Sequence, residues 1–83
     1  MVKLLFDTNI LLDLCNANRA PFHQDSLDLL GRCVRRGDVE MMVCVASLND
    51  VYYVLRRHYG SERQARQYVG KLMELFDVRP LLP

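Results

Sequence analysis

Val2-Lys3-Leu4-Leu5-Phe6-Asp7-Thr8-Asn9-Ile10-Leu11-Leu12-Asp13 decides the fold. Residues 2–6 form a short apolar run with one lysine, the profile of a buried strand. Asp7, Thr8 and Asn9 follow at once, and all three favour a helix start. Residues 10–15 then read as a helix. The chain passes from strand to acid to helix with almost no loop. In an open parallel sheet, ligands bind beyond the carboxyl ends of the strands, where Asp7 falls. A carboxylate there needs a partner. The N-terminus of the following helix is one such partner, which makes Asp7 a cap; a metal ion is another.

Working outward, 83 residues allow one domain at most. Hydrophobic residues make up 51% and charged residues 25%, a globular balance that excludes a disordered chain. The net charge of +1 argues neither for nor against a nucleic-acid partner, so only a local basic patch would serve one. Cys15, Cys33 and Cys44 are odd in number and lie in apolar surroundings. They form no Cys-x-x-Cys pair, and His23 and His58 complete no zinc spacing. Reduced thiols of a cytoplasmic protein are expected. No segment is long enough to span a membrane.

A polar loop ending at Pro21 leads to a second helix, Phe22–Arg36, with Phe22, Ser26, Leu29, Leu30, Cys33 and Val34 on one face. Arg35 and Arg36 suit its C-terminal end, and Gly37 stops it. Residues 40–45 form a second strand, apolar enough for burial on both faces. A helical crossover makes the first two strands parallel. A third helix opens at Ala46-Ser47 and runs to residue 58 or 59, with Ser47 and Asp50 as a relaxed capping box and Leu48, Val51, Tyr52, Leu55 and Tyr59 as its core stripe. Ser61-Glu62-Arg63-Gln64 caps a fourth helix that buries Ala65, Tyr68, Val69, Leu72, Met73 and Phe76. Residues 77–82 suggest a short third strand limited by Pro80.

Asp50 lies in the first turns of the third helix, directly after the second strand. Asp7 and Asp50 therefore occupy equivalent strand-end positions on neighbouring parallel strands. Two carboxylates held close repel unless a cation or proton intervenes. An all-oxygen site suits Mg²⁺ or Mn²⁺, with water completing the shell. Taken alone, Asp50 also fits a capping or helix-dipole role.

The first stretch closely resembles the opening of the PIN-domain family, which includes the VapC-like toxins of toxin–antitoxin pairs. Residues 46–57, Ala-Ser-Leu-Asn-Asp-Val-Tyr-Tyr-Val-Leu-Arg-Arg, resemble the family's second motif. The resemblance implies a three-layer α/β/α fold on a parallel sheet, here cut to about three strands and four helices, with residues 1–83 a partial PIN-like domain. It implies a metal-dependent endoribonuclease in which Asp7 and Asp50 hold Mg²⁺ or Mn²⁺, while Thr8 and Asn9 support Asp7 or touch the phosphate. Asp13 takes a structural or rim place. Arg19, Arg56, Arg57 and Lys71 are candidates to neutralise an RNA backbone, although arginine pairs at helix ends are usually solvated surface. Tyr52 and Tyr53 are candidates for base stacking, with Tyr52 better placed for the core.

Family members usually supply further acids and two further strands, which have no match here. In the family the first strand lies mid-sheet, so residues 2–6 are left as an apolar edge that invites pairing. Self-association, or completion by another polypeptide, is expected. The non-enzyme alternative is a catalytically incomplete PIN fold that binds protein, either an antitoxin or a second copy, through apolar surfaces of the second and fourth helices. Haloacid-dehalogenase-like phosphatases also begin with an apolar strand and Asp but need a second Asp where Asn9 stands. Response-regulator receivers carry their phosphorylated Asp after a later strand, and Asp77 does not follow one.

Overall fold

The computed structural model describes residues 1–16, 18 and 20–80. The elements run β1 (Val2–Leu5), α1 (Thr8–Cys15), α2 (Phe22–Arg36), β2 (Val39–Cys44), α3 (Val45–Tyr59), α4 (Glu62–Leu75) and β3 (Asp77–Arg79). The three strands are parallel in the order β1-β2-β3. β1 is an edge strand, as expected. The parallel sheet, the helical crossovers and the count of three strands and four helices match the fold read from the sequence. Leu81 and Leu82, expected in the third strand, lie outside the described residues.

Register explains how the sheet packs. Leu4 pairs with Met41, and Val43 with Val78. These residues, with Val39, point to the helices and join a core built on Phe6, Leu11, Val43, Val51, Leu55 and Leu72. Val43 is fully buried, a placement that contributes about 1.5–3 kcal/mol. Successive strand residues face opposite sides, so Lys3, Leu5, Glu40, Met42, Cys44, Asp77 and Arg79 share the other face. None of them belongs to the core, and Leu5 is 54% exposed. The described residues therefore supply the sheet and the helical layer on one side of it. The second strand, expected to be buried on both faces, is half-buried everywhere except Val43. On the open face Arg79 pairs with Glu40 at 2.9 Å and with Asp77 at 2.7 Å, which raises its pKa further.

Three helix boundaries follow from local chemistry. Gly37 (φ 75°) and Gly60 (φ 64°) adopt the left-handed conformation that ends α2 and α3. Ser61 accepts a hydrogen bond from the Gln64 N–H at 3.2 Å, capping α4 as expected. The start of α3 differs from expectation. β2 runs straight into it, with extended Cys44 at the N-cap position and Val45 already helical. Ser47 is thus inside the helix and caps nothing.

Some apolar residues expected inside are outside. Phe22 and Val34 on α2 and Met73 on α4 are exposed, while Ser26, Cys33, Ala65 and Leu72 are buried. Phe22 and Val34 lie in the end turns of α2, and the helix presses on α1 and β2 through its middle. Cys15 and Cys33 are buried and Cys44 is half-buried, all as free thiols. Among the described residues no helix is long and apolar enough to cross a membrane.

Candidate functional site

Asp7 follows β1 at the carboxyl end of the sheet. Its backbone is extended (φ −86°, ψ 174°), and its Oδ1 accepts a hydrogen bond from the Ile10 N–H at 3.0 Å. Asp7 is therefore the N-cap of α1. Ile10 supplies the hydrogen bond that fixes its carboxylate. The side chains of Thr8 and Asn9, expected in that part, make no hydrogen bond among the described residues. Thr8 is half-buried and Asn9 exposed at the start of the helix. Only one Asp7 oxygen is used by the cap, so the exposed carboxylate keeps acceptor capacity.

Asp50 lies on α3, which leaves the adjacent strand at the same edge of the sheet. Because α3 begins at Val45, Asp50 is its sixth residue and stands beyond the capping positions. Its side chain is exposed and makes no hydrogen bond or ion pair among the described residues. The structure thus removes the capping role that the sequence left open for Asp50.

The two helices are brought together by their packing. α1 and α3 follow parallel strands, so both N-termini face the same way. Between them lies a cavity of about 110 Å³ lined by Leu12 of α1, Asn16 just after that helix, and Val54, Leu55 and His58 of α3. Residues four apart share a helix face. Traced back one turn, the lines through Leu12 and Val54 reach Thr8 and Asp50. Thr8 and Asp50 therefore each lie one turn N-terminal of a residue that lines this cavity, on the two helices that flank it.

Against this frame a family model for the PIN domain matches residues 3–81. The chain belongs to the PIN-domain family. No curated protein and no solved structure matches it. PIN domains suggest nuclease activity, RNA binding and dependence on divalent metal.

Asp7 and Asp50 offer oxygen ligands only, and Mg²⁺ is commonly held by one or two carboxylates together with water and substrate phosphate. The residues fit such an ion. Among the described residues no group of three or more His, Cys, Asp or Glu side chains is placed to hold a metal. Asp77 sits in β3 and is engaged with Arg79. Asp13 is buried in α1 rather than at the rim, and His23 Nδ1 lies 2.7 Å from its backbone carbonyl.

The residues considered for RNA contact separate clearly. Tyr52 is half-buried and packs against the core, whereas Tyr53 is exposed. Arg56, Arg57 and Lys71 are exposed and make no ion pair among the described residues. Arg19 lies outside them. Sequence reading gave Glu62 only a place in a capping box, yet it accepts from the Tyr52 hydroxyl at 3.2 Å and from Arg66 at 2.8 Å. The i,i+4 spacing of Glu62 and Arg66 was the available signal.

Proposed function

We propose that this PIN domain is a metal-dependent endoribonuclease of the VapC-like toxin type, hydrolysing RNA phosphodiester bonds, and that residues 1–83 form a partial PIN-like domain. The observation that carries the reading is Asp50: an exposed acid with no hydrogen bond or ion pair among the described residues, at the same sheet edge as the capping carboxylate of Asp7. Asp7 and Asp50 would hold Mg²⁺ or Mn²⁺. The ion supplies an acidified water and neutralises charge on the attacked phosphate. Asp7 is held in place by Ile10 before anything binds, which lowers the ordering cost of the site. Asn9 and Thr8 lie beside it to donate to a phosphate oxygen. Two carboxylates, where the family commonly has more, make a weak site that substrate phosphate helps to complete.

Calorimetric titration of Mn²⁺ into wild type and Asp7→Asn tests the reading. Binding in the micromolar range that is lost in the variant, followed by RNA cleavage that depends on Mn²⁺ and on Asp7, is the expected result. Equal heats for both proteins, with no cleavage by wild type, would overturn it.

A second reading has its own support. Among the described residues the outer edge of β1 is unpaired and the sheet face bearing Leu5 and Met42 carries no helical layer. An incomplete PIN fold that associates with itself or with an antitoxin accounts for that surface. An apolar cleft of about 300 Å³ between α3 and α4, lined by Leu48, Tyr52, Val69 and Met73 among others, suits a partner's side chains.

A further inference from the structure

Gly60 turns the chain sharply between α3 and α4 and leaves an open cleft of about 530 Å³ in the corner. Tyr53, Arg56, Arg57, Gly60 and Glu62 line it. Tyr53 is 63% exposed, an unusual position for a tyrosine ring. The ring is nonetheless supported: it meets Tyr52 edge-on, with centroids 5.4 Å apart and planes at 72°. Tyr52 is tied in turn to Glu62, and Glu62 to Arg66. The acid in the cleft is thereby paired with an arginine outside it. Arg56 and Arg57 remain without a carboxylate partner among the described residues. They also stand at the C-terminal, negative end of the α3 dipole. An anion seated there needs both guanidinium groups.

We propose that this cleft is a subsite for single-stranded RNA, stacking one unpaired base on Tyr53 and holding an adjacent phosphate between Arg56 and Arg57. Stacking on an exposed aromatic ring beside arginines is the usual way a protein grips an unpaired strand. The placement deepens the nuclease reading and rests on it for the path of the strand. Asp50, Tyr53 and Arg57 fall on one stripe of α3 at intervals of three and four residues. Arg57 stands two turns from Asp50, a rise of about 10 Å. The subsite therefore holds a nucleotide beside the bond to be cut, not the bond itself.

The test is fluorescence anisotropy with a 5′-labelled RNA hexamer in EDTA, where binding is read without cleavage. Relative to wild type, Arg56→Ala/Arg57→Ala is expected to bind about tenfold more weakly, with the salt slope reduced by about 0.7 for the one lost phosphate contact. Tyr53→Ala is expected to lose about tenfold, and Tyr53→Trp to retain affinity. Arg32→Ala removes an exposed charge on α2 and is expected to stay within twofold of wild type. Wild-type affinity in both cleft variants, or no binding by wild type, would overturn the subsite. Cleft-dependent binding without Mn²⁺-dependent cleavage would uphold the subsite and defeat the nuclease reading.

Discussion

The Tyr59 hydroxyl donates to the Cys15 carbonyl at 2.9 Å, joining the last residue of α3 to the last residue of α1. It satisfies one of the carbonyls that a helix end leaves open. The Tyr59 ring also stacks on Tyr68 of α4, with centroids 5.4 Å apart and planes at 10°. One side chain thus links three helices. Tyr59→Phe keeps the stack and deletes the hydrogen bond, so it is expected to lose about 1 kcal/mol in urea unfolding. A loss above about 3 kcal/mol would mean that the ring packing, not the hydroxyl, had been disturbed.

The same corner makes the fold sensitive to alkali. Burial raises the Cys15 thiol from 9.0 to about 11. Burial first, then hydrogen bonding with Tyr68 and the charges of Tyr68 and Cys15, raises Tyr59 from 10.0 to about 12. Both groups hold their protons more tightly in the folded chain than in the unfolded one. Their contribution is full below about pH 9 and is lost as pH rises through the folded values. Thermal midpoints are expected to be level up to about pH 9 and to fall beyond it, with Cys15→Ala flattening the first part of the decline. A midpoint unchanged to pH 11 would contradict this.

Asp7 caps α1, and the metal role proposed for it is separable from that cap. Asp7→Ala removes the acceptor for the Ile10 N–H and is expected to cost about 1 kcal/mol. Asp7→Asn keeps that acceptor and is expected to stay within a few tenths of a kcal/mol of wild type, yet to abolish Mn²⁺ binding. Urea unfolding and calorimetry on both variants check the separation. Equal destabilisation by the two substitutions would argue against it.

Gly70 lies inside α4, and a Cβ added there meets nothing within 4 Å. Gly70→Ala should therefore stabilise the fold by about 0.5–1 kcal/mol through helix propensity alone. A rise of a few degrees in melting temperature is the expected reading. A fall would mean that this face of α4 is covered by something in solution.

Among the described residues nothing pairs with the outer edge of β1, and Leu5 beside it is largely exposed. Sedimentation velocity is expected to show concentration-dependent association, and Leu5→Lys to shift the protein toward monomer by charging that surface. A single monomeric boundary for wild type at high concentration would remove the second reading in its self-associating form.

Much of this was legible in the sequence because local rules and global packing agree. Asp7-Thr8-Asn9 marked the passage from strand to helix, which takes only Phe6 and Asp7 between β1 and α1, and the glycines at 37 and 60 stopped helices where the left-handed turn required. The misreadings came from residues whose local chemistry points one way and whose surroundings decide otherwise. Ser47 has the chemistry of a cap, but the strand before it becomes helical two residues sooner. Met42 and Cys44 are apolar enough for a buried strand, but apolarity does not say whether a layer covers them. Tyr59 was legible as core, though not its bond to Cys15, which links residues 44 apart in the sequence. The candidate acids were both legible. That Asp50 is not a cap was not, since it depends on where α3 begins.

The Ile10 hydrogen bond to Asp7 bears on how such a protein ages in evolution. An asparagine at position 7 preserves the fold's interest in that side chain while ending the metal-binding role proposed for it, and one base change in an aspartate codon produces it. If the nuclease reading holds, a lineage of this gene can lose its chemistry in a single step with almost no folding penalty to expose the loss. Inactive descendants would then persist as well-folded proteins, free to be kept for whatever they still bind.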